Sequence, residues 1–186
     1  MHRVAICDDD AADLDHLTSL VRQNRQLELV GAFASGRGLL EAVAESLPDV
    51  ILLDLEMPEM DGFEAVKGLA DLDWTAVAEP PLIVFVTSDP VFAIDLLQWG
   101  IVGILNKPSA AVRLESCVPQ IHRARTQHEA RQRLRHLRYH LEDVRTLYGH
   151  AIVAGDVELS HAGRRIRVPL SVIQWIEAQG RYVRLH

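Results

Sequence analysis

Val50-Ile51-Leu52-Leu53-Asp54-Leu55-Glu56-Met57-Pro58-Glu59-Met60-Asp61-Gly62 reads as an apolar strand that ends on a carboxylate, then a turn whose Pro, Asp and Gly close the strand and open a helix. A strand with no polar face belongs inside a sheet covered on both sides. Three other stretches repeat the design: Cys7-Asp8-Asp9, Val84-Phe85-Val86-Thr87 and Asn106-Lys107-Pro108 each set a polar group directly after an apolar run.

Working outward, the chain alternates strand and helix. Residues 4–7 form a short apolar run, and Asp10 is a suitable N-cap for the helical spacing of Leu14, Leu17 and Val21. Residues 27–33 precede a helix through Leu39, Leu40 and Val43, and residues 50–53 precede one from Gly62 through Val66 and Leu69. Residues 82–86 lead to a helix from Pro90 through Leu97, and residues 101–105 to one opened by Ser109. Five strand-helix units predict an α/β fold with a parallel sheet, and right-handed crossovers favour the flavodoxin-like (βα)5 order 2-1-3-4-5. That winding gathers Asp8, Asp9, Asp54, Thr87 and Lys107 at one carboxyl-terminal sheet edge, where such folds bind ligands.

The 186 residues allow one full domain and part of another. Cys7 and Cys117 lie far apart in apolar segments, and the Met-His-Arg-Val opening has no cleavable signal pattern, so a reducing, cytoplasmic setting is expected. No apolar run approaches the ~18 residues of a membrane span. The net charge of −7 hides an asymmetry: residues 1–118 carry 7 Lys+Arg against 20 Asp+Glu, whereas residues 119–186 carry 12 Arg against 6 acids. Only the basic tail suits an anionic polymer.

After Pro119 the composition turns to Arg, His and Gln. Leu134, Leu137, Leu141, Val144 and Tyr148 alternate at three and four spacing, which predicts a helix that pairs with its twin or packs on its own domain. His136 and His140 lie four apart on it without a third ligand nearby, a pattern more typical of a solvated face than of a metal site. Short β-type runs follow at residues 166–168, 172–176 and 182–185, with Gly163 in a turn. The expected organisation is 1–118, a helical linker 119–150, and a partial β-rich unit 151–186. The strands of that unit would leave edges unpaired, and would be mobile or pair with a second chain.

The sheet-edge residues fit phosphoryl chemistry. A carboxylate attacking a phosphoryl donor brings two anions together, so cations must neutralise the developing charge. Asp9 and Asp54 can bind Mg²⁺ directly, with Asp8 acting through a water, and Lys107 supplies a compact second cation. Asp54 ends the central strand beside an open turn and is the candidate nucleophile, and the Thr87 hydroxyl can donate to the new group. A phosphatase with an aspartate nucleophile would want a second Asp two residues on, where Glu56 stands. No phosphate-binding glycine loop of the nucleotide-hydrolase type is present.

On these residues the first 118 positions resemble a response-regulator receiver domain, with acidic pair Asp8 and Asp9, phosphoacceptor Asp54, switch Thr87 and Lys107-Pro108. The resemblance implies phosphotransfer from a histidine kinase, Mg²⁺ held by Asp8, Asp9, Asp54 and the backbone carbonyl of Glu56, and slow self-catalysed hydrolysis rather than turnover of another substrate. It also implies dimerisation on phosphorylation through the fourth predicted helix, fifth strand and fifth predicted helix. Two positions depart from the family: Ile104 stands where an aromatic switch residue is usual, and Ser88 where Ala or Gly is usual.

Arg164-Arg165-Ile166-Arg167-Val168-Pro169, then Val172 to Ala178 and Arg181-Tyr182-Val183-Arg184, resemble the opening strands of a LytTR-type DNA-binding domain. That implies a transcriptional output with Arg164, Arg165, Arg181 and Arg184 as DNA contacts. The alternatives are a receiver acting as a protein-interaction switch or phosphate sink, with those arginines as solvated strand edges.

Overall fold

A computed structural model of the chain describes residues 1–74, 80–88, 101–107, 110–126, 156–161, 164–169, 175–179 and 182–185, with the side chains of 111–113, 126 and 156 onward outside the description. The elements are β1 (His2–Cys7), α1 (Ala11–Gln23), β2 (Leu27–Phe33), α2 (Gly36–Ser46), β3 (Val50–Asp54), α3 (Gly62–Asp71), β4 (Leu82–Thr87), β5 (Gly103–Asn106), α4 (Ala110–Thr126), β6 (Asp156–His161), β7 (Arg164–Pro169), β8 (Trp175–Gln179) and β9 (Tyr182–Leu185). The fourth predicted helix, the heptad stripe and the pair His136 and His140 lie outside the described residues.

β1 to β5 are parallel in the expected order 2-1-3-4-5. Every residue of β3 and β4 is buried, the pattern of central parallel strands covered on both faces. On one face Ile51, Leu53 and Phe85 pack with Leu39 and Val43 of α2 and Phe63, Val66 and Leu69 of α3. On the other, Val4, Ile6, Leu52 and Val84 pack with Leu17 and Val21 of α1 and Leu114, Cys117, Val118, Ile121 and Ala124 of α4. Alternating strand residues feed both clusters because successive side chains point to opposite faces.

α4 runs across the expected boundary at 118 between the first unit and the helical linker. The helix continues through Pro119 to Thr126. Proline removes one ladder donor and strains the preceding turn, but the apolar face continues past it with Ile121 and Ala124, both buried. Arg125 then closes the helix end onto the sheet: Nη2 lies 2.7 Å from Asp49 Oδ1, and Nη1 donates to the Pro80 carbonyl at 2.8 Å. Asp49 also accepts from the Arg3 amide, so one carboxylate ties β1 and α4 at the foot of β3.

The tail also departs from expectation. The sheet has seven strands, not five: β8 lies antiparallel on β5, and β9 on β8, giving 2-1-3-4-5-8-9. β8 and β9, expected to be mobile or to pair with a second chain, here pair with the chain's own sheet, with β9 at its edge. The physical reason is that β5 would otherwise end the sheet with a row of unmet N–H and C=O groups, which an antiparallel strand satisfies. Of the strand expected at 172–176, residues 172–174 lie outside the described residues, and Trp175 and Ile176 open β8. β6 and β7 form a separate two-stranded sheet. Among the described residues, no helix is long and apolar enough to cross a membrane.

Candidate functional site

The carboxyl ends of β1, β3, β4 and β5 deliver Asp8, Asp54, Thr87 and Lys107 to one edge. The register fixes their order: Cys7 is level with Leu53, Asp54 with Val86, and Thr87 with Asn106. Asp8, Asp54 and Thr87 are the buried polar residues of the described chain, exposed by 0%, 4% and 2%. Buried polar side chains at the ends of apolar strands need partners, and Lys107 meets both carboxylates.

Lys107 Nζ lies 2.9 Å from Asp54 Oδ2 and 3.0 Å from Asp8 Oδ2. Asp54 Oδ1 accepts from the Glu56 amide at 3.3 Å, which turns the carboxylate into the mouth of the following loop. Asp8 is fixed more firmly. Its amide donates to the Phe33 carbonyl at 3.0 Å, and its Oδ1 accepts from the Asp10 amide at 3.1 Å. Asp10 caps α1 by accepting from Ala12 and Asp13 amides, as its sequence position suggests, and those bonds hold its carboxyl below the usual range. Asp61 caps α3 in the same way through the Glu64 amide.

Burial raises the Asp8 carboxyl to about 6 despite the hydrogen bond from Lys107, and burial also raises Asp54 against the same opposition. Burial draws the Lys107 ammonium down, but hydrogen bonds to Asp54, Asp13 and Asp8 outweigh this and leave it raised. A site in which carboxylates are costly to ionise and one lysine is firmly cationic is short of positive charge. Cys7, directly before Asp8, is no nucleophile at neutral pH: burial pushes its thiol up to about 12, and Sγ packs 3.5 Å from Met57 Sδ.

The donor set fits a hard divalent ion. Oxygens of Asp8, Asp9 and Asp54 lie within 4.8 Å of one another. Asp8 Oδ2 is buried and makes an ion pair but no directed hydrogen bond, so it retains capacity for a metal-bound water. Beside them opens a cleft of about 410 Å³ lined by Asp9, Glu56, Asp61, Leu55, Pro58 and Phe63. Glu56 is exposed on its rim.

Ile104 lies wholly inside, level with Phe85 and packed in the cluster on the α2 and α3 face. Ser88 is exposed. The four arginines suggested as DNA contacts are not gathered on one sheet: Arg164 and Arg165 are in β7, Arg184 is in β9, and Arg181 lies outside the described residues. One participant escaped the sequence reading. Asp13, in the first turn of α1, places Oδ2 2.9 Å from Lys107 Nζ. Its position five residues after Asp8, on the helix following β1, was the available signal.

The family model of the response regulator receiver domain matches residues 4–119. An uncharacterized response regulatory protein of Vibrio cholerae is 30% identical over 121 residues, covering 64% of this chain and 44% of that protein. Protein-glutamate methylesterase/protein-glutamine glutaminase 5 of Myxococcus xanthus is 38% identical over 111 residues, covering 58% of this chain and 30% of that protein. The response regulator domain of Thermotoga maritima CheB superposes with a TM-score of 0.53 at 26% identity, covering 68% of this chain and 97% of that one. The chain spans less than half the length of either curated relative.

Proposed function

This chain belongs to the response regulator receiver domain family, and from that premise we propose that Asp54 accepts a phosphoryl group from a histidine kinase and that the C-terminal strands carry the resulting signal. The observation that carries the reading is the convergence of Asp54, Asp8 and Lys107 within 3.0 Å contacts at the mouth of the sheet. An Asp54 carboxylate oxygen attacks phosphorus, the bond from phosphorus to the donor imidazole nitrogen breaks, and the electron pair leaves with the imidazole. Lys107 and the Thr87 hydroxyl then hold the new phosphoryl oxygens. Asp9, Asp54 and the Glu56 carbonyl, with Asp8 through a water, would hold Mg²⁺, which would supply the second neutralising charge.

The phosphoryl group ends on the chain's own side chain, so the site is a switch and not a catalyst for an external substrate. For the output we favour a LytTR-type DNA-binding module in a cytoplasmic, phosphorylation-dependent homodimer, supported by the strand pattern and by Arg164, Arg165, Arg181 and Arg184. The placement of β8 on β5 favours a second reading, a protein-interaction switch in which the receiver's own edge is the regulated surface. Intact mass after treatment with acetyl phosphate and Mg²⁺ tests the acceptor: it should rise by one phosphoryl group, and Asp54→Asn should abolish the rise. Unchanged labelling of that variant would sink the assignment.

A further inference from the structure

An ammonium group has three N–H donors. Three carboxylates surround Lys107 Nζ: Asp8, whose Oδ1 accepts a hydrogen bond at 3.3 Å and whose Oδ2 lies at 3.0 Å, Asp54 Oδ2 at 2.9 Å and Asp13 Oδ2 at 2.9 Å. The donors are therefore fully engaged before any phosphoryl group arrives. For Lys107 to hold a phosphoryl oxygen, one carboxylate must yield.

The three differ in how easily they can do so. Asp8 is wholly buried, with backbone and side chain both held. Asp54 is 4% exposed and is the group to be modified, so its contact is converted, not vacated. Asp13 has a side chain 42% exposed on the first turn of α1. It can swing into water at little cost, because partly exposed ion pairs are weak. The geometry points to Asp13 as a positioning residue that latches Lys107 in the unphosphorylated site and is displaced by the incoming phosphoryl oxygen. This rests on the phosphoacceptor reading above.

The latch sets how readily the switch is thrown. Removing Asp13 frees one Lys107 donor in advance, so the phosphorylated geometry becomes easier to reach. Asp15, exposed two residues along the same helix, carries the same charge and has no described contact with Lys107, so it controls for a general change of field.

Lys67 and Lys107 are the two lysines of the sequence, which makes ¹³Cε-lysine NMR of the full chain a direct probe, with Lys67→Arg assigning the Lys107 signal. Beryllofluoride with Mg²⁺ serves as the phosphoryl mimic. In Asp13→Asn the resting Lys107 signal should already lie displaced from its wild-type position. The mimic should bind about two- to five-fold more tightly, the scale of one weak ion pair. Asp13→Glu should restore both properties, and Asp15→Asn should change neither. An unmoved Lys107 signal in Asp13→Asn, or an equal effect from Asp15→Asn, overturns the latch. So does a tenfold loss of Mg²⁺ affinity by calorimetry, which would make Asp13 a metal ligand instead. Should wild-type Lys107 ignore the mimic, the phosphoacceptor reading fails, while the resting signals still decide whether Asp13 holds Lys107.

Discussion

A Cβ placed on Gly62 would run into the backbone carbonyl of Asp54 and approach Leu55 Cα at 2.9 Å. The first residue of α3 thus packs against the backbone of Asp54, the proposed acceptor, and the Gly62 amide donates to the Leu55 carbonyl at 3.0 Å. Backbone cannot move aside as a flexible side chain can. Gly62→Ala should therefore cost about 1–3 kcal/mol, the usual range for overpacking, and should slow labelling of Asp54 by acetyl phosphate. Urea denaturation and intact mass measure the two effects. A variant of wild-type stability and labelling would show that α3 is free to shift from the Asp54 turn.

The raised carboxyls give the metal-free protein a defined pH response. Asp8, raised from 3.8 to about 6, holds its proton in the folded chain after the unfolded chain has lost it. Its contribution to stability is therefore fully present below about pH 3.8 and is lost as pH rises through about 6. Asp54 acts in the same direction, whereas Asp10, with a lowered carboxyl, acts in the opposite one at lower pH. Comparing wild type with Asp8→Asn isolates the first effect. In chelator, Asp8→Asn should melt a few degrees higher than wild type above about pH 6.5, with the difference shrinking toward about pH 4.5. Mg²⁺ should raise the wild-type melting temperature above about pH 6.5 far more than below pH 5, because protonated Asp8 cannot support the ion. A pH-independent difference between the two proteins would remove Asp8 as its source.

The contact between Arg125 and Asp49 ties α4 to the sheet past residue 118. Arg125→Gln should cost about 1–3 kcal/mol, because it leaves the Pro80 carbonyl and the partly buried Asp49 carboxylate without their charged donor. Ile121→Ala should cost about 2–5 kcal/mol, as expected for a buried aliphatic truncation. Thermal melts of both variants check this. Wild-type melts would mean that the domain ends before Pro119.

Those residues show what the sequence could and could not disclose. Four of the five parallel strands were legible because each is a short apolar run closed by a polar group, and Asp8, Asp54, Thr87 and Lys107 mark the edge they share. Asp13 was not, since an acid in a first helical turn has an ordinary explanation in the helix dipole. The passage of α4 through Pro119 was hidden for a similar reason: local chemistry argues for a break, and only Ile121, Ala124 and Arg125 against the sheet outweigh it. The pairing of β8 depends on its partner, β5, about 70 positions earlier. Strand propensity carries no information about such a partner.

That partnership bears on how a signal from the proposed acceptor Asp54 would reach the tail. Leu105 is level with Trp175 and Ile104 with Ile176, so β8 is bonded to the strand that leads into Lys107. A movement of Lys107 toward a phosphoryl group on Asp54, as proposed, would pull on the end of β5. A dimer that uses the edge of β5 must also displace β8, because both would claim the same N–H and C=O groups. Hydrogen exchange on the full chain should therefore show slow amides at Gly103–Asn106 and Trp175–Gln179 in the resting protein. The second set should lose protection when acetyl phosphate and Mg²⁺ drive association. Ile176→Pro, which breaks the ladder from within β8, should speed exchange in both segments about tenfold or more and shift light scattering toward dimer without phosphorylation. If Gly103–Asn106 remains as protected in Ile176→Pro as in wild type, β8 does not guard the edge of β5, and the signal leaves Lys107 by another route.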